Sequence, residues 1–349
     1  MRRRTRLTLL FVVLVAAMLA LIVILRSHAP PEAARLLPGG DGFLYLDLKW
    51  VRRISPRPLP SVPLDPDYQQ FVSQTGFAFE RDLDEAAFAI HYTGGYAAPD
   101  GSPRFSEILI GRWDSERVSN YLRRLANNVE VYHDMQVFSI PFEGRTVRVT
   151  MLSVGTVAIS NVDSPQVIHE LVDRSRKLAS PFGGPALLRQ YYRKVPFGSL
   201  AWVILSSPAQ FQNGRVADLL PLNSQRLLQG AVVVGSVRFL RAIHLRLEAF
   251  YQDENSARKL GDQLTELVGL FHNVQPTLAS GGTDADVKQF FDSLKVQQSK
   301  ERVSVSAILS TGFLQKLFTP PPPEAAPAPT PTPQPQPKKK PSSKRRTTH

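Results

Sequence analysis

"AVVVGSVRFLRAIHLRLEAFYQDENSARKLGDQLTEL", residues 231–267, reads as two hydrophobic strands, an acidic turn and an amphipathic helix. The helix is predicted from Ala257, Leu260, Leu264, Leu267 and Phe271, whose spacing keeps one stripe of a 3.6-residue period apolar. The same order occurs from Ala87: "AFAIHY", a loop, then "EILIGRWDSERVSNYLRRL". There Val118, Tyr121, Leu122 and Leu125 stand at i, i+3, i+4 and i+7. Asp114 and Asp253 fall at the two helix starts, where a short acidic side chain accepts otherwise unpaired backbone N–H groups.

The preceding elements correspond as well. "GFLYLDLKWV" (42–51) and "GSLAWVILSSPAQF" (198–211) are each a strand running into a short segment, followed by helix-like stretches around Tyr68–Val72 and Val216–Leu220. After the shared helix the two stretches diverge. The first continues with strands at "MQVFSIPF", "TVRVTML" and "TVAIS" and a helix at "SPQVIHELVDR". The second has a helix at "DADVKQFFDSL", a strand at "RVSVSAIL" and a short helix at "GFLQKLF". The expected fold is α+β: two copies, 43–180 and 198–318, of a strand-strand-helix based unit with mainly antiparallel sheets, behind an N-terminal transmembrane helix.

That helix is expected at Leu7–Leu25, nineteen residues with Thr8 as the one polar member, roughly 28 Å at helical rise and long enough for a bilayer. Arg2, Arg3, Arg4 and Arg6 precede it, so the positive-inside rule keeps residues 1–6 in the cytoplasm and sends the rest across. The run exceeds the apolar core of a cleaved signal peptide, and "SHAPPEAA" supplies no clean A-x-A site. Residues 1–26 therefore read as a basic stub and uncleaved signal anchor, and 27–42 as a linker. The expected location is the inner (cytoplasmic) membrane, single-pass, with the C-terminal domain outside, which is the periplasm in a Gram-negative cell. The bilayer is the first partner, through residues 7–25.

The net charge of +12 sits at the ends. The front arginines hold +5 and the tail 319–349 another +5, leaving +2 for the body, no footprint for a nucleic acid. The tail's proline-rich run 320–337 favours polyproline II, about 3.1 Å per residue, and holds Lys338, Lys339, Lys340, Lys344, Arg345 and Arg346 roughly 55 Å from the body. This disordered basic tail is expected to meet anionic envelope polymers or lipids.

Chemistry-bearing patterns are sparse. The absence of cysteine excludes disulfides, Cys-ligated zinc, iron–sulfur clusters and thiol nucleophiles. There is no Walker loop, Rossmann glycine pattern, G-x-S-x-G or H-E-x-x-H, so no cofactor is expected. Among seven histidines no two stand at i, i+3 or i+4; His91 and His244 occupy corresponding strands and read as half-buried strand residues. Asp284 and Asp286 in "GGTDADVKQF" lack the further oxygen ligands of a calcium loop, and Thr283 with Asp286 reads as a helix cap. Glu80, Asp82, Asp84 and Glu85 in "FERDLDEAAF" read as a charged loop before a strand, and the "RQYYRK" stretch (189–194) mixes tyrosine with basic groups as sugar- or peptide-binding surfaces do.

The "LPGGDGFLYLDL" opening, the "RWDSERVSNYLRRL" helix and the closing "DVKQFFDSLKVQQSKERVSVSAIL" resemble an uncharacterised two-copy exported bacterial domain of unknown function, over most of 37–318. The resemblance implies an extracytoplasmic two-copy fold and no particular activity. The function expected is a membrane-anchored, non-enzymatic binding or scaffold module of the cell envelope. Its rivals are a hydrolase-like enzyme with a dispersed site, marked by His91, His133, His169 or His244 converging with carboxylates in a closed pocket, and a carrier of an apolar ligand.

Overall fold

The computed structural model describes residues 29–54, 65–92, 103–177, 184–206, 228–278 and 285–310, together with Met18 and Gly312. The architecture is α+β, with a mainly antiparallel sheet flanked by helices. The strands are β1 (Gly42–Asp47), β2 (Leu83–His91), β3 (Arg104–Gly111), β4 (Asn128–Tyr132), β5 (Met135–Phe142), β6 (Arg145–Ser153), β7 (Thr156–Ser160), β8 (Ser199–Ser206), β9 (Val232–Phe239), β10 (Ile243–Phe250), β11 (Lys295–Ser299) and β12 (Arg302–Leu309). They form one sheet in the order β11-β12-β10-β9-β8-β1-β2-β3-β7-β6-β5-β4. The centre is the antiparallel pair β1–β8, in which Phe43 faces Ile204 and Tyr45 faces Trp202. The two stretches read as separate α+β copies thus share a continuous backbone ladder.

Side chains alternate across this ladder. On the front face lie Phe43, Tyr45, Ala87, Ala89, Ile108, Ala158, Trp202, Ile204 and Val234, all buried. Helices α1 (Glu32–Leu36), α6 (Gln166–Arg176) and α7 (Ala186–Tyr191) cover the part around β1, β2, β3 and β7, contributing Ala33, Leu36, Ile168, Leu171 and Leu188. Helix α1 corrects the expectation of a linker over 27–42: Ala33 and Ala34 are small enough to let the chain lie flat on the sheet, and Leu36 and Leu37 fill the core beside them.

The back face divides into two cores. Helices α2 (Leu48–Ile54), α3 (Pro66–Thr75), α4 (Phe79–Asp82) and α5 (Ser115–Leu125) belong to the N-terminal half. There Phe77 stacks on Trp113 at 3.5 Å, and Val118 and Leu122 of α5 pack with Leu109, Phe138 and Val157. The C-terminal half carries α8 (Glu254–Leu278), whose Ala257 and Leu260 pack on Val233, Ala249 and Val303. The expected stripe is seen at these positions, and its register brings Gly261 against β11: a Cβ there would lie 3.1 Å from that of Gln298. Both expected caps are present. The Asp114 carboxylate accepts from Arg117 N at 3.0 Å and that of Asp253 from Ser256 N at 2.8 Å. Helix α9 (Ala285–Ser293) lies beyond the end of β12, where Ser310 Oγ donates to Asp286 at 2.7 Å and Ser293 Oγ accepts from Ile308 N at 2.8 Å.

The expected transmembrane segment 7–25, the helix around Val216–Leu220, the cap residue Thr283 and the tail 319–349 lie outside the described residues. No helix among the described residues is long and apolar enough to cross a membrane.

Candidate functional site

The front face changes character at β9. Beyond Val234 the strands alternate polar-front and apolar-back: His244, Arg246 and Glu248 on β10, Arg302, Ser304 and Ser306 on β12, Lys295, Gln297 and Ser299 on β11. Glu248 is the buried member, 2% exposed, and sits between Val234 and Ser304 in the ladder. Its carboxylate accepts from Arg246 Nη2 at 2.9 Å and pairs with Arg302 Nη1 at 3.4 Å. Two guanidiniums for one carboxylate leave a net positive charge, and both arginines keep part of their surface in water.

A short helical turn, Tyr192–Lys194, follows α7 across this face. Tyr191 lies 5.7 Å from Phe250, ring to ring, the Lys194 ammonium lies 5.6 Å from the Phe250 ring, and Tyr192 meets Trp202 edge-on at 5.4 Å. Burial pushes the Tyr192 phenol up to about 12, so it stays a neutral hydrogen-bonding group. Between this turn and β10 is a pocket of about 260 Å³ lined by Tyr192, Arg193, Lys194, Val195, Pro196, Phe197 and Arg246. Its cations and aromatic rings suit an anionic or sugar-like group.

Among the described residues, His91, His133, His169 and His244 do not converge in one closed pocket. His91 is buried, and its Nε2 lies 3.1 Å from Ser106 Oγ, which lies 3.3 Å from Ser160 Oγ. Burial holds the His91 pKa below its ordinary value, with the nearby Asp41 charge acting the other way. Ser106 and Ser160 are as enclosed as the ring, so this histidine–serine line belongs to the core under α1 and α6. His133 and His169 do meet, around Tyr132 on the outer edge of β4. Tyr132 stacks on His169 at 4.0 Å; His169 bonds to Glu130, and His133 lies 3.4 Å from Asp173 on α6. The group is open to solvent, and it fastens the edge strand to α6 by the Tyr132 hydroxyl, which donates to Asp173 at 3.3 Å. His244 lies on the polar face across from Arg238 and Ile308. Among the described residues no three His, Asp or Glu side chains are grouped to hold a metal ion.

The carboxylates of "FERDLDEAAF" are each engaged. The loop expected there is α4 and the start of β2. Glu80 accepts from the Tyr68 hydroxyl, Asp84 pairs with Arg52, and Glu85 accepts from the Tyr45 hydroxyl. Burial raises the Asp82 pKa, but hydrogen bonds from Arg81 and Ala78 N and the charges of Arg81 and Arg112 outweigh it and hold the carboxyl below its usual range. Glu107 differs. It stands between Phe88 and Ile159 on the back face, and burial alone pushes its carboxyl up to about 6.

Lys338, Lys339, Lys340, Lys344, Arg345 and Arg346 lie outside the described residues. The sequence reading missed the polar face, whose signal was the alternation of "HLRLE" and "RVSVS".

No protein-family model and no curated protein matches the chain. Among solved structures it is similar to "Structure of crystal form I of TP0453", with a TM-score of 0.46 and 10% identity over 83% of this chain and 97% of that chain. For "Structure of crystal form III of TP0453" the TM-score is 0.44 at 10% identity, covering 82% of this chain and 97% of the other.

Proposed function

We propose that the chain is a membrane-anchored extracytoplasmic protein, a non-enzymatic binding or scaffold module of the cell envelope, built from two copies of one strand-strand-helix unit. The duplication is supported by the sheet order. From the central pair outward, β1-β2-β3-β7 mirrors β8-β9-β10-β12, and a capped helix follows the third strand in each half. In this reading residues 7–25 hold the chain in the inner membrane, and the basic cluster at 338–346 meets anionic polymers or lipids of the envelope.

The observation that carries the binding role is the polar front face of β10, β11 and β12. The 186–197 segment packs toward one end of it, with Tyr191 and Lys194 on Phe250, while the front of β1, β2, β3 and β7 lies under α1 and α6. Charged and hydroxyl side chains in register on a flat ladder offer a preformed surface for a polar, net-anionic partner. A photo-crosslinker placed at Ser306 or Gln297 in intact cells tests it. A discrete adduct from these positions, absent from Phe142, is expected. Adducts from Phe142 alone overturn the assignment. Deleting 338–346 and finding unchanged envelope fractionation at low salt removes the tail from the account.

A further inference from the structure

We propose that the end of the sheet where β1 finishes and β8 begins rests on the bilayer and inserts apolar turn tips among anionic lipid head groups. The inference builds on the anchor reading above and adds a second membrane contact, made by the folded body.

The strand registers define this end. Asp47 pairs with Glu85, Leu46 with Ala201, Ser199 with Arg238, and Ile243 with both Phe239 and Leu309. Among the large apolar side chains that project from it are Phe197, Leu240 and Trp50, exposed by 76%, 56% and 49%. Each sits on a short connection. Phe197 occupies the tip of a tight turn in which Ser199 N donates to Pro196 O at 3.3 Å and Gly198 takes the left-handed φ of 74° that a side chain would disfavour. Leu240 is in the β9–β10 hairpin, and Trp50 is on α2, directly after β1. In water these tips gain nothing from burial, and a folded chain of this size has ample core for them elsewhere.

A cation adjoins each tip. Lys49 precedes Trp50, Arg241 follows Leu240, and Arg193 lies in the pocket with Phe197. All three are exposed and make no ion pair among the described residues. Aromatic and aliphatic tips rimmed by basic groups are the composition that anionic bilayer interfaces take up.

The path of the chain gives an independent reason to put the membrane here. Glu32, the first residue of α1, is close enough to Glu85 to act on its charge, so α1 begins at this end and runs away from it toward Gly42. Six residues separate Leu25 from Glu32, and the seven steps between them reach no further than about 25 Å. The apolar segment would therefore hold this end against the lipid. Strand β12 also finishes here, at Leu309, so the chain departs toward its basic tail from the same side.

The absence of native cysteine makes a direct test simple. Full-length F197C, L240C and F142C are each labelled with an environment-sensitive fluorophore and reconstituted in phosphatidylcholine vesicles with or without phosphatidylglycerol, with spin-labelled lipid as quencher. Phe142 is the control, exposed on the β5–β6 turn at the opposite end. Quenching at 197 and 240, dependent on phosphatidylglycerol and absent at 142, is expected. Adding K49E, R193E and R241E together should lower the contact equilibrium constant read from quenching, at one fixed phosphatidylglycerol content, by at least about tenfold. Flotation with pure phosphatidylcholine vesicles reads the anchor separately. If the protein floats and labels at 197 and 240 are quenched no more than at 142, the contact surface is wrong and the anchor stands. If it floats in neither lipid, both fail.

Discussion

The two halves of the sheet share a strand order but not a covering. Around β2, β3 and β7 both faces are enclosed, and the strands read as nearly continuous small or apolar runs, such as "AAFAI" and "TVAIS". Around β10 and β12 one face is packed by α8 and the other is mainly polar, and polar and apolar residues alternate along most of each strand, with Phe250 and Ile308 as the apolar members of the front face. The comparison teaches that the texture of a strand reports how many of its faces are covered, and so where a surface remains for a partner. It also ties stability to the N-terminal half, which holds the larger share of fully enclosed side chains.

That contrast can be broken by substitution. Phe77→Ala removes a fully buried ring stacked on Trp113, and a loss of about 4 kcal/mol is expected in urea unfolding followed by fluorescence. Leu260→Ala in the C-terminal core should cost about 3 kcal/mol, because the open front face lets that half relax around the cavity. Because the two halves share a ladder, both variants should shift one common transition; two separate transitions would show halves that unfold independently.

Glu107 sharpens the comparison through pH. Its folded pKa of about 6 lies above the ordinary 4.5, so the folded chain holds this proton more tightly than the unfolded chain. The group therefore favours folding most below pH 4.5, and stability falls as pH rises from 4.5 through 6. Glu107→Gln should stabilise by up to about 2 kcal/mol at pH 7 and by little at pH 4, read from paired denaturant titrations. The smallest effect is expected at the caps. Asp114→Ala should cost about 1 kcal/mol, measured as a lower thermal midpoint. Asp253→Ala should act in the same direction, and more weakly at acid pH, since bonds from the Ser256 N–H and hydroxyl hold that carboxyl below its usual range.

Much of the ladder was legible from periodicity and turn signals. "MQVFSIPF" is β5, "TVAIS" is β7 and "RVSVSAIL" is β12 over the expected residues. Helix α1 was not, because Pro30 and Pro31 and the glycine pair at 39–40 frame "EAARLL" as a linker, while its burial depends on contacts with β2 and β3 far along the chain. Strand β4 was missed because "NVEVY" is an edge strand, mostly exposed, whose partners on β5 and α6 supply its order. The polar face was written in plain alternation, yet its pairing of Glu248 with Arg302 joins residues that only the sheet brings together. The end proposed to meet the bilayer needed the registers as well, since Trp50, Phe197 and Leu240 are far apart in sequence.

The β1–β8 seam has a mechanical consequence. Its two chains are stitched by main-chain bonds from Gly42–Leu205 to Leu46–Ala201, with Tyr45 stacked on Trp202 at 5.5 Å across the join. The twelve described strands at about 4.8 Å spacing make a sheet roughly 50 Å wide whose ladder is continuous through its middle. A pull on β11 would therefore load the β1–β8 pairing in shear before it could part the two halves of the ladder.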